Sequence, residues 1–330
     1  MRFRIIASIL SYAAFVFAVP NPLPGSSEVV VRDPAIFYNS DSKKYFVFST
    51  DENIKIFTST SLTGPWTRNG SVLPDCSVIQ LAGNCSLWAP DINFVNGQYV
   101  LYYSVSSLGS QNSAIGLATS PSMELGTWTD HGAVITSQTG DVYNAIDPNL
   151  LVASDGTFHL SFGSYWQCVF QVPLSNVSTP ASSTPGTHLV GYDGRQAEGG
   201  FTYKPAGSPY YFETFSDGIT ILPGATTRPA PGDEYKVRVG RGTNPSGPFV
   251  DQLGNDITLD VAPPTGPTGT LVLGSHDNVY APGGQSFFFD PVSGRDVIAY
   301  HYVPDDAFGG PSYLGLNFVD FSSGWPVLVD

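Results

Sequence analysis

The chain has 330 residues, and its 28 Asp and Glu outnumber 14 Lys and Arg to give a formal net charge of −14. Such a surface argues against nucleic acid and anionic membranes as partners and leaves a neutral one. With 35 Gly and 27 Pro and few amphipathic helical patterns, the composition excludes a helical bundle and predicts many strands joined by tight turns.

Residues 1–18 read as a secretory signal. Arg2 and Arg4 make the charged start, Ile5 to Phe17 is largely apolar, and Val16-Phe17-Ala18 suits small-residue cleavage. The run is too short for a membrane span. Residues 19–330 are then one secreted, extracellular domain, with no other apolar stretch of that length. Three Asn-x-Ser sequons, at Asn69, Asn84 and Asn176, agree with export through a glycosylating pathway. Cys76 and Cys85 lie nine positions apart in one loop, and an oxidising compartment favours their pairing. Cys168, inside an aromatic run, reads as a buried free thiol.

From residue 29 onward one pattern recurs. Arg32-Asp33-Pro34-Ala35-Ile36-Phe37-Tyr38 leads through Ser40-Asp41-Ser42 into Tyr45-Phe46-Val47-Phe48. Trp88-Ala89-Pro90-Asp91-Ile92 leads through Asn96-Gly97 into Tyr99-Val100-Leu101-Tyr102. Asp147-Pro148-Asn149-Leu150 turns at Asp155-Gly156, Glu198-Gly199-Gly200-Phe201 turns at Ala206-Gly207, and Pro282-Gly283-Gly284-Gln285 turns at Ser293-Gly294. Asx-Gly between two apolar runs is a strong hairpin signal. A third run follows each of the first four hairpins, as in Ile54 to Thr60 and Ala114 to Ser120. Five copies at a period of roughly 50–60 residues predict a five-bladed β-propeller with four-stranded antiparallel blades. Leu222 to Asp233, rich in Pro, Gly and Thr, interrupts copy four as a loop on the rim.

In a propeller the first strand of each blade lines the axis, so residues at its start converge on one funnel. Asp33, Asp147 and Glu198 occupy corresponding slots in copies one, three and four, while copy two has Asp91 one position after its Pro and copy five has Gly283. Like charges held close raise one another's pKa and split into acid and base. Asp before Pro is also a turn former. Glu198 is not, and the glycines after it open space beside it.

Arg32-Asp33-Pro34, Ile146-Asp147-Pro148 and Glu198-Gly199-Gly200-Phe201, in this order and separation, resemble glycoside hydrolase family 43, and within it the endo-arabinanases. Trp88-Ala89-Pro90-Asp91 and Gly163-Ser164-Tyr165-Trp166 match as well. The resemblance implies hydrolysis of α-1,5-linked arabinofuranose in arabinan, a plant cell-wall polysaccharide, with inversion and with no cofactor required for the chemistry. Asp33 would be the general base, Glu198 the general acid, and Asp147 would orient that acid. Trp88, Tyr165 and Trp166 would stack on furanose rings, and Asp91, Asn144 and Ser164 would bind substrate. Gly274 to Gly284 looks like the family's segment with a central histidine, which implies a calcium or sodium ion near His276; by itself His276 has no carboxylate spacing that predicts a metal. Two other readings stand beside this one. The same fold and mechanism would serve arabinoxylan or xylo-oligosaccharides, and a propeller can bind carbohydrate without cleaving it. Nothing resembles a dimer stripe, so a monomer is expected.

Overall fold

The computed structural model describes residues 19–261 and 267–330; the segment 1–18, read above as a secretory signal, lies outside them. Five antiparallel sheets follow one another along the chain in the order expected for a β-propeller. The inner strands are Ala35–Asn39, Trp88–Val95, Asn149–Val152, Ala197–Tyr203 and Val279–Asp290. Each is followed by a hairpin partner and a third strand, and the turns are those the sequence marks. In blade three the outermost position is divided between Thr179–Pro180 and Thr187–Val190, both paired with Val169–Asn176.

The second strands are buried almost without a break, as in Lys44–Ser49 and Gln98–Val105, because both faces of each blade are covered by a neighbour. Five apolar seams result. Phe46, Phe48 and Ile56 meet Leu101 and Tyr103 between blades one and two. Val47, Val297 and Leu316 close blade five onto blade one. Burying each large side chain there contributes about 1.5–3 kcal/mol. The ring also closes by hydrogen bonds: Leu23 N–H donates to Leu316 O (2.8 Å) and Leu314 N–H to Val29 O (3.0 Å). Residues 23–30 thereby take part of the outer place on Tyr313–Asp320, whose other end pairs with Val327–Val329.

The inner strands share a feature that positions the site. Trp88 faces Ser104 and Asp91 faces Tyr102, so two residues on one strand bulge out against one on the other. Glu198 and Phe201 repeat this offset against Ser216 and Thr214, as do Gly283 and Ser286 against His301 and Ala299. The bulges are Asp33-Pro34, Ala89-Pro90, Asp147-Pro148, Gly199-Gly200 and Gly284-Gln285. The first residue of each is left-handed, with φ of 46°, 45°, 56°, 61° and 57° in that order. For the three that are not glycine this conformation costs roughly 1–3 kcal/mol apiece and needs support from its surroundings.

That support comes from the preceding blade. Thr50 Oγ1 accepts from Ala89 N–H (2.8 Å), Ser104 Oγ from Asp147 N–H (2.9 Å), Ser216 Oγ from Gly284 N–H (2.9 Å) and His301 Nδ1 from Asp33 N–H (3.1 Å). At the remaining seam Ser164 bridges to Glu198. At four of the five seams a hydroxyl or imidazole near the end of the second strand thus caps the next blade's bulge. This register corrects the slot assigned to Glu198. Asp33 and Asp147 head their bulges, whereas Glu198 stands one residue earlier, in the position of Arg32 and Trp88. The bulge in blade four is Gly199-Gly200, which carries no side chain.

Candidate active site

A cleft of about 1080 Å³ opens over the five bulges, and Asp33, Asp147 and Glu198 all face it. Each carboxyl has different neighbours. Asp33 accepts from Thr50 Oγ1 at Oδ2 (2.6 Å), and His301 Nδ1 lies 3.3 Å from Oδ1. The Arg32 guanidinium stands 4.0 Å from Oδ2. Burial pushes Asp33 up, but the His301 contact, Arg32 and Thr50 outweigh it and hold the carboxyl down at about 2. Burial lowers His301, the Asp33 carboxyl pulls it back up, and Arg32 lowers it further. Gly284 packs directly over this pair. A Cβ there would come 2.4 Å from Asp33 Oδ1 and 2.7 Å from His301 Nδ1, so only glycine fits.

Asp147 has the opposite surroundings. Burial first, then the Glu198 and Asp33 carboxyls, push it well above the carboxylate range. Burial and like charge thus favour the protonated form on this wall, the reverse of Asp33. Glu198 is held at both oxygens by hydroxyls: Ser164 Oγ donates to Oε2 (2.6 Å) and Tyr235 OH to Oε1 (2.8 Å). A hydroxyl can turn from donor to acceptor, so these partners serve the carboxyl both with and without a proton. The Tyr235 phenol is itself raised far above its ordinary value, by burial and then by Glu198, Asp33 and Asp147. One phenol thus senses all three carboxyls.

The remaining expected residues are placed as follows. Trp88 and Trp166 line the cleft, half-buried, with Tyr165 37% exposed beside them. Asp91 borders the cleft but is buried, and its carboxyl binds blade three by accepting from Leu150 N–H (2.7 Å) and Asn93 Nδ2 (2.8 Å). Burial pushes it up to about 7. Asn144, also buried at the cleft, reaches Ser110 O with Nδ2 (3.3 Å) and so steadies the 106–110 loop. Ser164 spends its hydroxyl on Glu198. All three hold other parts of the site in place.

His276 is elsewhere. It sits in the turn before the inner strand of blade five, outside the cleft lining, with Nδ1 2.9 Å from Gly274 O and Nε2 buried without a partner. Its neighbour Asp277 is bonded to Asn21. One imidazole with no converging oxygen ligands does not fit a calcium or sodium ion, and among the described residues no three His, Cys, Asp or Glu come together as a ligand set. The histidine under the site is His301. The sequence carried a signal for it, because His301 occupies the capping slot filled by Ser104 and Ser216 in blades two and four. Tyr235 had no such signal, lying at the end of the Leu222 to Asp233 loop with no counterpart in the other copies.

The expected pairing of cysteines is present as a Cys76–Cys85 disulfide, and Cys168 is buried and free. Among the described residues no helix is long and apolar enough to cross a membrane.

Residues 25–326 match the family described as Glycosyl hydrolases family 43. The arabinan endo-1,5-alpha-L-arabinosidase A of Aspergillus niger is 43% identical over 329 residues, covering 98% of this chain and 98% of that protein. Among solved structures, an exo-1,5-alpha-L-arabinanase from a bovine ruminal metagenomic library is 27% identical with a TM-score of 0.78, over 95% of this chain and 100% of that one. An endo-arabinanase from Bacillus licheniformis is 30% identical with a TM-score of 0.75, over 91% of this chain and 98% of that one.

Proposed function

The chain belongs to glycosyl hydrolases family 43, and from that premise we propose that it is a secreted, monomeric endo-acting glycosidase that cleaves α-1,5-arabinofuranosyl bonds in arabinan. The whole propeller, 19–330, is the catalytic unit. The Aspergillus niger relative, named for this activity, supports the substrate, and the disulfide with the signal-like 1–18 segment supports export. One observation carries the mechanism: the carboxyls facing a single cleft are split between a cation-backed wall and a hydroxyl-lined wall.

Asp33, ionised across the neutral range, takes a proton from a water while the oxygen of that water bonds to the anomeric carbon. The bond from that carbon to the leaving oxygen breaks on the opposite face, and the leaving oxygen takes the proton carried by Glu198. Water attacks opposite to the leaving group, so configuration inverts. Asp147 orients the acid from the neighbouring bulge, while Ser164 and Tyr235 hold the Glu198 carboxyl at both oxygens. Carboxyl groups supply both acid and base, and no cofactor enters. Trp88, Tyr165 and Trp166 offer apolar faces to sugar rings.

Glu198→Gln tests the assignment. It should retain the fold and lose roughly 10²–10⁴-fold in kcat on debranched linear arabinan, the usual worth of a positioned acid. A Gln variant with unimpaired turnover would remove Glu198 from the acid role. Chromatography of the wild-type products separates the modes: an early ladder of short oligomers means endo cleavage, and a single small product from the start means exo release.

A further inference from the structure

Between the second and third strands of blade four the chain leaves the sheet over residues 218–235. Its base is closed by Ile219 N–H to Asp233 O (2.7 Å) and Tyr235 N–H to Ile219 O (3.0 Å). The excursion touches both halves of the catalytic machinery. At its start the Arg32 guanidinium, beside Asp33, donates to Thr220 Oγ1 (2.6 Å) and Ile221 O (3.2 Å). At its end Tyr235 donates to Glu198 (2.8 Å). In between, Leu222 and Pro223 line the cleft, and Leu222 is 40% exposed.

The outer face of the excursion is fastened to blade five. Ile221 and Ala225 pack with Tyr280, Ala281, Val303 and Phe308 in an apolar cluster separate from the five seams. Gly224 N–H donates to Gly309 O (2.8 Å). A Cβ on Gly309 would fall 2.2 Å from Ala225 O, so the two chains meet as closely as glycine permits. Arg228 completes the fastening. Its guanidinium lies 4.3 Å from the Tyr280 ring centre and 4.6 Å from that of Phe308, and it donates to Asp305 Oδ1 (2.6 Å) and Asp305 O (2.8 Å). A planar fork stacked on two rings and bonded at two nitrogens fixes direction as well as distance.

We infer that residues 222–228 are a fixed specificity wall for the polysaccharide beyond the scissile bond, and that Arg228, which touches no substrate, sets the enzyme's preference for chain length by holding Leu222 and Pro223 against a distal sugar ring. An exposed leucine on a cleft wall gains by covering the apolar face of a sugar. It gains most when folding has already ordered the loop, because the substrate then bears none of that entropy. This inference rests on the arabinan-cleaving reading above.

The test compares kcat and KM for linear arabino-oligosaccharides from trimer to octamer in wild type, Arg228→Ala, Arg228→Lys and Leu222→Ala, with thermal unfolding of each. In Arg228→Ala the ratio of kcat/KM for octamer over trimer should fall roughly three- to tenfold, the scale of one stacked cation and its hydrogen bonds. The loss should appear in KM and leave kcat nearly unchanged. Leu222→Ala should reproduce the length effect without a change in unfolding temperature, and Arg228→Lys should fall between. A loss equal at every length, or none in either alanine variant, overturns the proposal. If Arg228→Ala does not fold, a flat length profile in Leu222→Ala overturns it alone. Wild-type protein that leaves all these oligomers intact would defeat the substrate reading and this inference with it. That result differs from an active wild type whose variants show no length effect.

Discussion

The two walls of the cleft are built from one repeat yet push their carboxyls in opposite directions. Asp33 and Asp147 head the same left-handed bulge, before the same proline, with N–H groups capped by the preceding blade. Around Asp33 the cap is an imidazole, with a guanidinium and a hydroxyl close by, and the carboxyl stays ionised down to about pH 2. Around Asp147 the cap is the Ser104 hydroxyl and the near charges are two more carboxyls, so the group is pushed far upward. Backbone geometry therefore aims the side chains, and their neighbours divide the labour.

If the contrast is correct, removing the groups that create it should move the chemistry in opposite ways. The largest effect is expected from His301→Gln. Burial of Asp33 persists while its strongest stabilising partner goes, so its pKa must rise. The acid limb of kcat/KM should move up by about one pH unit or more, costing roughly tenfold per unit below it, with little change near neutrality. A pH–rate profile with an unmoved acid limb would place the base elsewhere.

Tyr235→Phe acts on the other wall and takes away one donor to Glu198. A drop of up to about tenfold in kcat is expected, with KM little altered, since a hydrogen bond to a neutral carboxyl is worth about 0.5–1.5 kcal/mol and Ser164 remains. The acid limb should stay where it is. A shift like that of His301→Gln would show the walls to be less independent than the geometry implies.

The effect with least bearing on catalysis is confined to stability. Glu213 is fully buried behind Gly200, bonded to the Thr202 hydroxyl through Oε2, with Oε1 unpartnered. Burial pushes it up to about 8 from 4.5. Between those values the native state keeps a proton that the unfolded chain releases, so stability falls as pH rises through that window. Glu213→Gln removes this proton uptake. Unfolding temperature should decline less between pH 5 and pH 9 in the variant, with kcat at neutral pH preserved; parallel declines would show that Glu213 does not supply the slope.

Much of the fold was legible in the sequence, and the reason is local. Strand alternation, Asx-Gly turns and the recurrence of three runs per copy each span a few residues, and they gave the blades, their order and the Leu222 to Asp233 loop. The carboxyl set was legible because a repeat exposes the residues that break it. Slots within the bulge were less so: Glu198 stands one position before the place it was assigned, since a two-residue bulge has no marker when both residues are glycine. Read as a motif, His276 is not distinguished from His301, because a motif read along the chain cannot tell which turn faces the axis. Ser164, Asn144 and Asp91 lie where polar residues near a sugar would, but their hydrogen bonds go to neighbouring protein groups.

By itself, then, the sequence determined a repeating β architecture and the convergence of Asp33, Asp147 and Glu198 on its axis. In the tertiary structure the closed ring supplies the neighbours that hold Asp33 down and push Asp147 up. His301 meets Asp33 across 268 positions, when blade five closes on blade one, and Arg228 meets Asp305 across 77. A pKa or a fixed wall depends on what stands within a few ångströms of a group, and in a closed ring those neighbours come from anywhere along the chain.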